Sequence, residues 1–93
     1  MPLTFEWDKR KARSNLDKHG VSFEEAATIF GDRMSLTIPD LEHSLTEQRY
    51  ITMGKALTDK LLVVVHTDRG DNIRVISARR ASRRERKFYE EVT

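Results

Sequence analysis

Leu61-Leu62-Val63-Val64-Val65-His66-Thr67, then Asp68-Arg69-Gly70-Asp71, then Asn72-Ile73-Arg74-Val75-Ile76-Ser77 is the stretch that decides the fold. The first run is continuous and β-branched, the pattern of a central strand buried on both faces. The last run is a second strand. Gly70, third in the loop between them, suits a three-residue hairpin with a left-handed residue and a bulge. In that register Thr67 pairs with Asp71, and His66 and Arg74 share a face as diagonal neighbours. A loop of two or four residues would place them on opposite faces. Arg79, five residues beyond Arg74, would face the other way in an uninterrupted strand, so a bend near Ala78 or a helix start is needed to bring it round.

Outward from this hairpin the pattern stays regular. Met34–Ile38 and Arg49–Gly54 alternate as strands, and Pro39-Asp40 marks a turn after the first of them. Leu3-Thr4-Phe5-Glu6-Trp7 alternates as well, so Leu3, Phe5 and Trp7 are expected on one buried face. Asp8 caps a helix over Lys9–Asp17 that ends at Gly20 and, with only Ala12 and Leu16 apolar on one face, should lie on the surface. Ser22-Phe23-Glu24-Glu25 is a capping box, and Phe23, Ala26, Ala27 and Phe30 carry the helical period to Gly31. Ser82, with Glu85 three residues later, opens a last helix over Arg83–Glu91. The order β-α-α-β-β-β-β-α predicts an α+β fold: a small antiparallel meander, two N-terminal helices and one C-terminal helix, packed on one side of the sheet.

Composition narrows the function. Ninety-three residues make one domain, spanning 1–93, with a thin core. Charged residues are 34%, against roughly 25% in average soluble domains. The absence of cysteine excludes a disulfide scaffold, a zinc ribbon and a thiol nucleophile. His19, His43 and His66 lack the short spacings of a metal site, so neither metal nor cofactor is expected. No apolar run approaches the ~20 residues of a membrane span. The opening residues carry no leader-like apolar region, and a cytoplasmic location with no membrane partner is expected.

The net charge of +2 hides a polarised chain. Glu24 to Glu47 holds six acids and one base, whereas Arg79 to Lys87 holds six bases (Arg79, Arg80, Arg83, Arg84, Arg86 and Lys87) and one acid, Glu85. Arginine is the better fork for phosphate, so the C-terminal run points to a polyanion, nucleic acid above all. The bland alternative is a solvated helix face.

Metal-free RNA cleavage needs a base for the 2′-OH proton, cations on the pentacoordinate phosphate and an acid for the leaving 5′-oxygen. His66, at the end of the most buried strand, is the candidate base, with Arg74 and Arg79 as the cations. Tyr89 could move a proton or stack a base. Each has a structural reading too: His66 as a hydrogen-bonded strand-end residue, Tyr89 as a core-edge anchor, and Trp7 as core rather than as a base-stacking platform.

Phe5-Glu6-Trp7-Asp8, Lys18-His19-Gly20-Val21-Ser22-Phe23-Glu24-Glu25-Ala26, Val63-Val64-Val65-His66-Thr67 and Ile76-Ser77-Ala78-Arg79-Arg80-Ala81, leading into Arg84-Glu85 and Tyr89-Glu90, resemble the BrnT family over about Phe5 to Glu91. The resemblance implies a RelE-like fold and a ribonuclease toxin of a type II toxin–antitoxin system that arrests translation without a metal. It implies a BrnA-type antitoxin as partner, in a two-plus-two assembly, with operator DNA reached only through that antitoxin. It also places the family's basic strand-end residues on Arg69, Arg74, Arg79 and Arg80. With RNA as substrate, Arg69, Arg80, Arg83, Arg84, Lys87 and Tyr89 are the expected binding residues. The competing expectation is a non-catalytic nucleic-acid or partner-binding module. Glu42 and Glu47, in the acidic stretch, are candidate contacts for the antitoxin.

Overall fold

Asp8, Ser22 and Ser82 each open a helix, as their side chains predict. In the computed structural model, which describes residues 3–43 and 45–92, the Asp8 carboxylate accepts from the amides of Arg10 (2.8 Å) and Lys11 (3.2 Å) and starts α1, Lys9–His19. Gly20, at φ +69°, closes α1 in the left-handed region that favours glycine. Ser22 caps α2, Phe23–Ala27, by accepting from the Glu25 amide at 3.0 Å. Only half of the expected capping box forms here, because the Glu25 carboxylate turns instead to Thr58 and Lys60. The helix also ends early, tightening into a 3₁₀ turn over Thr28–Gly31. Both halves of the box form at α3, Arg83–Val92: Ser82 accepts from the Glu85 amide, and the Glu85 carboxylate accepts from the Ser82 amide.

The strands are β1 (Thr4–Glu6), β2 (Leu36–Pro39), β3 (Arg49–Lys55), β4 (Leu61–Arg69) and β5 (Asn72–Arg80), in the spatial order β1-β5-β4-β3-β2. β2 to β5 form the predicted antiparallel meander. The sheet as a whole is mixed, which corrects the purely antiparallel expectation: β1 lies parallel to β5, pairing Thr4–Glu6 with Asn72–Arg74. Alternation within a three-residue strand carries no information about its direction.

The helices do not share one side of the sheet. α1, α2 and the 3₁₀ turn cover one face over Val21, Phe23, Ala26, Ile29, Leu62, Val64, Val75 and Ala78, with Phe5 and Trp7 packed at the margin. α3 crosses to the other face, where Tyr89 joins Met53, Leu61 and Val63. The continuous apolar run of β4 feeds both layers by alternation, Leu62 and Val64 one way, Leu61 and Val63 the other. Each large side chain fully buried in this way contributes about 1.5–3 kcal/mol.

Two departures in the β4–β5 hairpin set the site. The turn has two residues, not three: Arg69 pairs with Asn72, and Gly70, at φ +59°, takes the first central position. Thr67 therefore pairs with Arg74, and His66 pairs with Val75 on the opposite face. The register then shifts: Val65 pairs with Ser77 while His66 pairs with Val75, leaving Ile76 as the extra residue of a bulge. One extra residue inverts the alternation beyond it, so Arg74, Ser77 and Arg79 all point to the α3 side. The expected bend exists, but it lies at Ile76 rather than near Ala78.

Candidate functional site

α3 covers only one end of its face, and the uncovered remainder is a groove. Ser77 on β5, Val65 on β4 and Ile51 on β3 form its floor, and Ser77 and Val65 are directly paired. Three hollows meet at Ser77. A cavity of about 230 Å³ is bordered by Arg79, Glu85, His19 and Ile38; a second, of about 330 Å³, by Asp40, Glu42, His43 and Arg49; a third, of about 200 Å³, by Lys11, Lys18 and His19.

Arg79 is half exposed and grips Glu85 through two parallel bonds, 2.7 and 2.9 Å long. The Glu85 carboxylate is held down to about 2, first by that guanidinium and then by the Ser82 amide and hydroxyl. The same pair raises Arg79 above its ordinary value. A planar guanidinium that holds a carboxylate in this way presents the fork it would offer to a phosphate.

Arg74 sits further along the same face, with one nitrogen 2.8 Å from Glu6, which also accepts from Asn72 at 3.0 Å. Arg69 approaches Glu6 at 4.0 Å. The Asn72 and Arg74 hydrogen bonds hold the Glu6 carboxyl below its usual range. Arg80, Arg83, Arg84 and Lys87 are exposed and form a basic rim at the end of β5 and along α3.

His66 lies elsewhere. It is 5% exposed on the α1–α2 side, stacked on Tyr50 and edge-on to Phe30, with Nε2 2.7 Å from the Thr52 hydroxyl, which in turn meets Thr37. Burial pushes its imidazole below the ordinary value, and the Asp68 carboxylate offsets only part of that. The structure therefore does not bring His66 together with Arg74 or Arg79. Tyr89 is likewise buried, its hydroxyl donating to Asp32 at 2.5 Å, and burial raises it to about 12.

Sequence reasoning passed over His19, His43 and Asp40 because His19 and His43 were weighed only as metal ligands. A usable signal was present: His19 directly precedes the left-handed Gly20, and Asp40 and His43 stand three residues apart in a turn. The Asp40 carboxylate lies 3.0 Å from His43 Nδ1. Among the described residues no three potential ligands gather as a metal site, and no helix is long and apolar enough to cross a membrane.

No curated protein matches the chain. Its fold is similar to that of the Brucella abortus ribonuclease toxin BrnT, solved at 1.1 Å: the TM-score is 0.68 at 22% sequence identity, over 88% of this chain and 100% of that one. Residues 7–85 match the sequence model of the ribonuclease toxin BrnT of type II toxin–antitoxin systems, and the chain belongs to that family.

Proposed function

We propose that the groove over Ser77 binds RNA and cleaves it without a metal, and that the chain is a RelE-like cytoplasmic toxin neutralised by a BrnA-type antitoxin in a two-plus-two complex. The observation that carries this reading is Arg79: its guanidinium faces a concave site and is engaged, through both bonds, by the Glu85 carboxylate, an anion with the fork geometry that a phosphate also offers. Arg74 continues the cationic line on the same face, and the basic rim supplies the non-specific attraction to a polyanion. Operator DNA would be reached only through the antitoxin. An apolar strip beside α3, with Leu36, Ile38, Met53 and Phe88, supports a protein partner on this side; Glu42 and Glu47, from the acidic stretch, are its candidate polar contacts.

Purified chain incubated with total RNA and EDTA tests the reading. Cleavage that survives chelation and falls by about 10²–10³-fold in Arg79→Ala is expected. Expression of the chain alone should arrest growth, and co-expression of the antitoxin should relieve it. RNA that is shifted on a gel but stays intact would overturn the enzymatic reading in favour of a binding module.

A further inference from the structure

The placement of two histidines at the ends of one groove calls for a role. α1 runs along β5, and Asn15 fixes it there by donating to the Ala78 carbonyl (2.8 Å) and accepting from the Ala78 amide (3.0 Å). One turn later, His19 emerges beside the Arg79–Glu85 pair. At the other end, the turn after β2 carries Asp40 and His43 to the far wall of the adjoining hollow. The floor between these ends crosses β5, β4 and β3, which is two strand spacings, or about 10 Å. A phosphodiester with a hydrogen-bond partner on each side is small enough to lie along that floor.

We infer that His43 and His19 are the base and acid of RNA cleavage in this groove, an inference that rests on the ribonuclease reading above. The Asp40 carboxylate accepts from His43 Nδ1–H, which fixes the tautomer that leaves Nε2 as the unprotonated, proton-accepting nitrogen. His43 Nε2 takes the proton of the 2′-OH, and the 2′-oxygen attacks phosphorus. The bond from phosphorus to the 5′-oxygen breaks, and protonated His19 gives its proton to that oxygen. The products are a 2′,3′-cyclic phosphate and a free 5′-hydroxyl, and solvent returns both imidazoles to their starting states. Arg79 leaves Glu85 for the phosphate and balances the negative charge that builds up on its non-bridging oxygens. The charged groups facing His43 are Asp40, Glu42 and Arg49; those facing His19 are Lys11, Lys18, Arg79 and Glu85.

The test uses the full chain and its His43→Gln and His19→Gln variants, with an RNA substrate and the same RNA carrying 2′-O-methyl groups as a non-cleavable probe. Each variant should lose about 10²-fold or more in cleavage rate while binding the probe as tightly as the unmodified chain. The kcat/KM profile should be bell-shaped, with His43→Gln losing the acidic limb and His19→Gln the basic limb. A substrate with sulfur in place of the bridging 5′-oxygen needs no proton on its leaving group, so it should restore His19→Gln but not His43→Gln. Variants that cleave like the parent, or a sulfur substrate that rescues neither or both, would overturn the inference while leaving the ribonuclease reading intact. A parent chain that binds RNA without cleaving it would overturn both.

Discussion

The side-chain amide of Asn15 pairs with both backbone groups of Ala78, donating to the carbonyl at 2.8 Å and accepting from the amide at 3.0 Å. In effect it is one rung of a strand that the sheet lacks. β1 is too short to cover β5 beyond Arg74, and this amide closes the edge where β1 stops. Its second donation, to the Val21 carbonyl at 3.0 Å, ties the turn between α1 and α2 to the same point. Asn15 is thus a buried polar residue on the helix that the apolar pattern marked as peripheral.

Replacing Asn15 with Leu keeps the branching of the side chain but strands three buried backbone groups. The expected loss is about 2–4 kcal/mol, read by urea denaturation as a lower midpoint at unchanged m. Asn15→Asp should be no better, because it removes both donations and buries a charge.

Glu85 makes a second, pH-dependent contribution. Its carboxyl lies at about 2 in the folded chain against an ordinary 4.5, so its stabilisation is present above about pH 4.5 and is lost as pH falls toward 2. Arg79 and Glu85 are both partly exposed, so screening limits the gain to under about 1 kcal/mol. Glu85→Gln keeps the helix cap and should flatten that acid limb. On the proposed function it should also tighten RNA binding several-fold, because the competing anion is gone. Unchanged affinity for 2′-O-methyl RNA would show that Glu85 does not occupy the phosphate position.

Much of this fold was legible because periodicity and caps are local. Ser22, Ser82 and Asp8 announce their helices, and β4 announces a two-faced strand. The site was less legible because it depends on one residue of register. Gly70 suits a two- or a three-residue turn equally well, and the bulge at Ile76 answers to the packing of both faces rather than to any local signal. The turn carries His66 to the face opposite Arg74, and the bulge turns Arg79 to the same face as Arg74. Arg79 and Arg74 were reachable from charge alone; that His19 and His43 stand at the ends of one groove needed the tertiary structure.

His66 should behave as a buried neutral imidazole. Its folded value lies below 6.5, so the unfolded chain binds the proton first. Stability is then complete above about pH 6.5 and declines as pH falls below it. NMR titration should find the His66 ring protonating below 6.5, and a folded His66→Gln chain should show a shallower decline of Tm between about pH 6.5 and pH 5. A ring that titrates at or above 6.5 would contradict the burial.

Gly54 lies under the 3₁₀ turn, where an added Cβ would meet the Cβ of Ser35 at 3.1 Å and the Cβ and carbonyl oxygen of Ile29 at 3.2 Å. Part of that contact is backbone and cannot rotate away. Gly54→Ala should cost about 1–3 kcal/mol in urea denaturation. Gly31→Ala, with nothing within 4 Å and an ordinary φ, should stay within about 0.5 kcal/mol of the parent.

Tyr89 links α3 to the opposite layer. Its hydroxyl donates to Asp32, whose carboxylate also accepts from the Lys55 and Met34 amides. Burial raises the Asp32 carboxyl, but the Tyr89 hydroxyl and then those amides outweigh it and hold it below its usual range. Tyr89→Phe keeps the ring among Met53, Leu61 and Val63 and removes only the hydroxyl, so about 1–2 kcal/mol should be lost. Because Glu85 stands one turn earlier on the same helix, a looser α3 should also weaken its hold on Arg79. Amide exchange should therefore rise along Glu85–Val92 in Tyr89→Phe while β4 stays protected. Equal protection of α3 in both chains would mean that the apolar contacts of the ring anchor the helix without the hydroxyl.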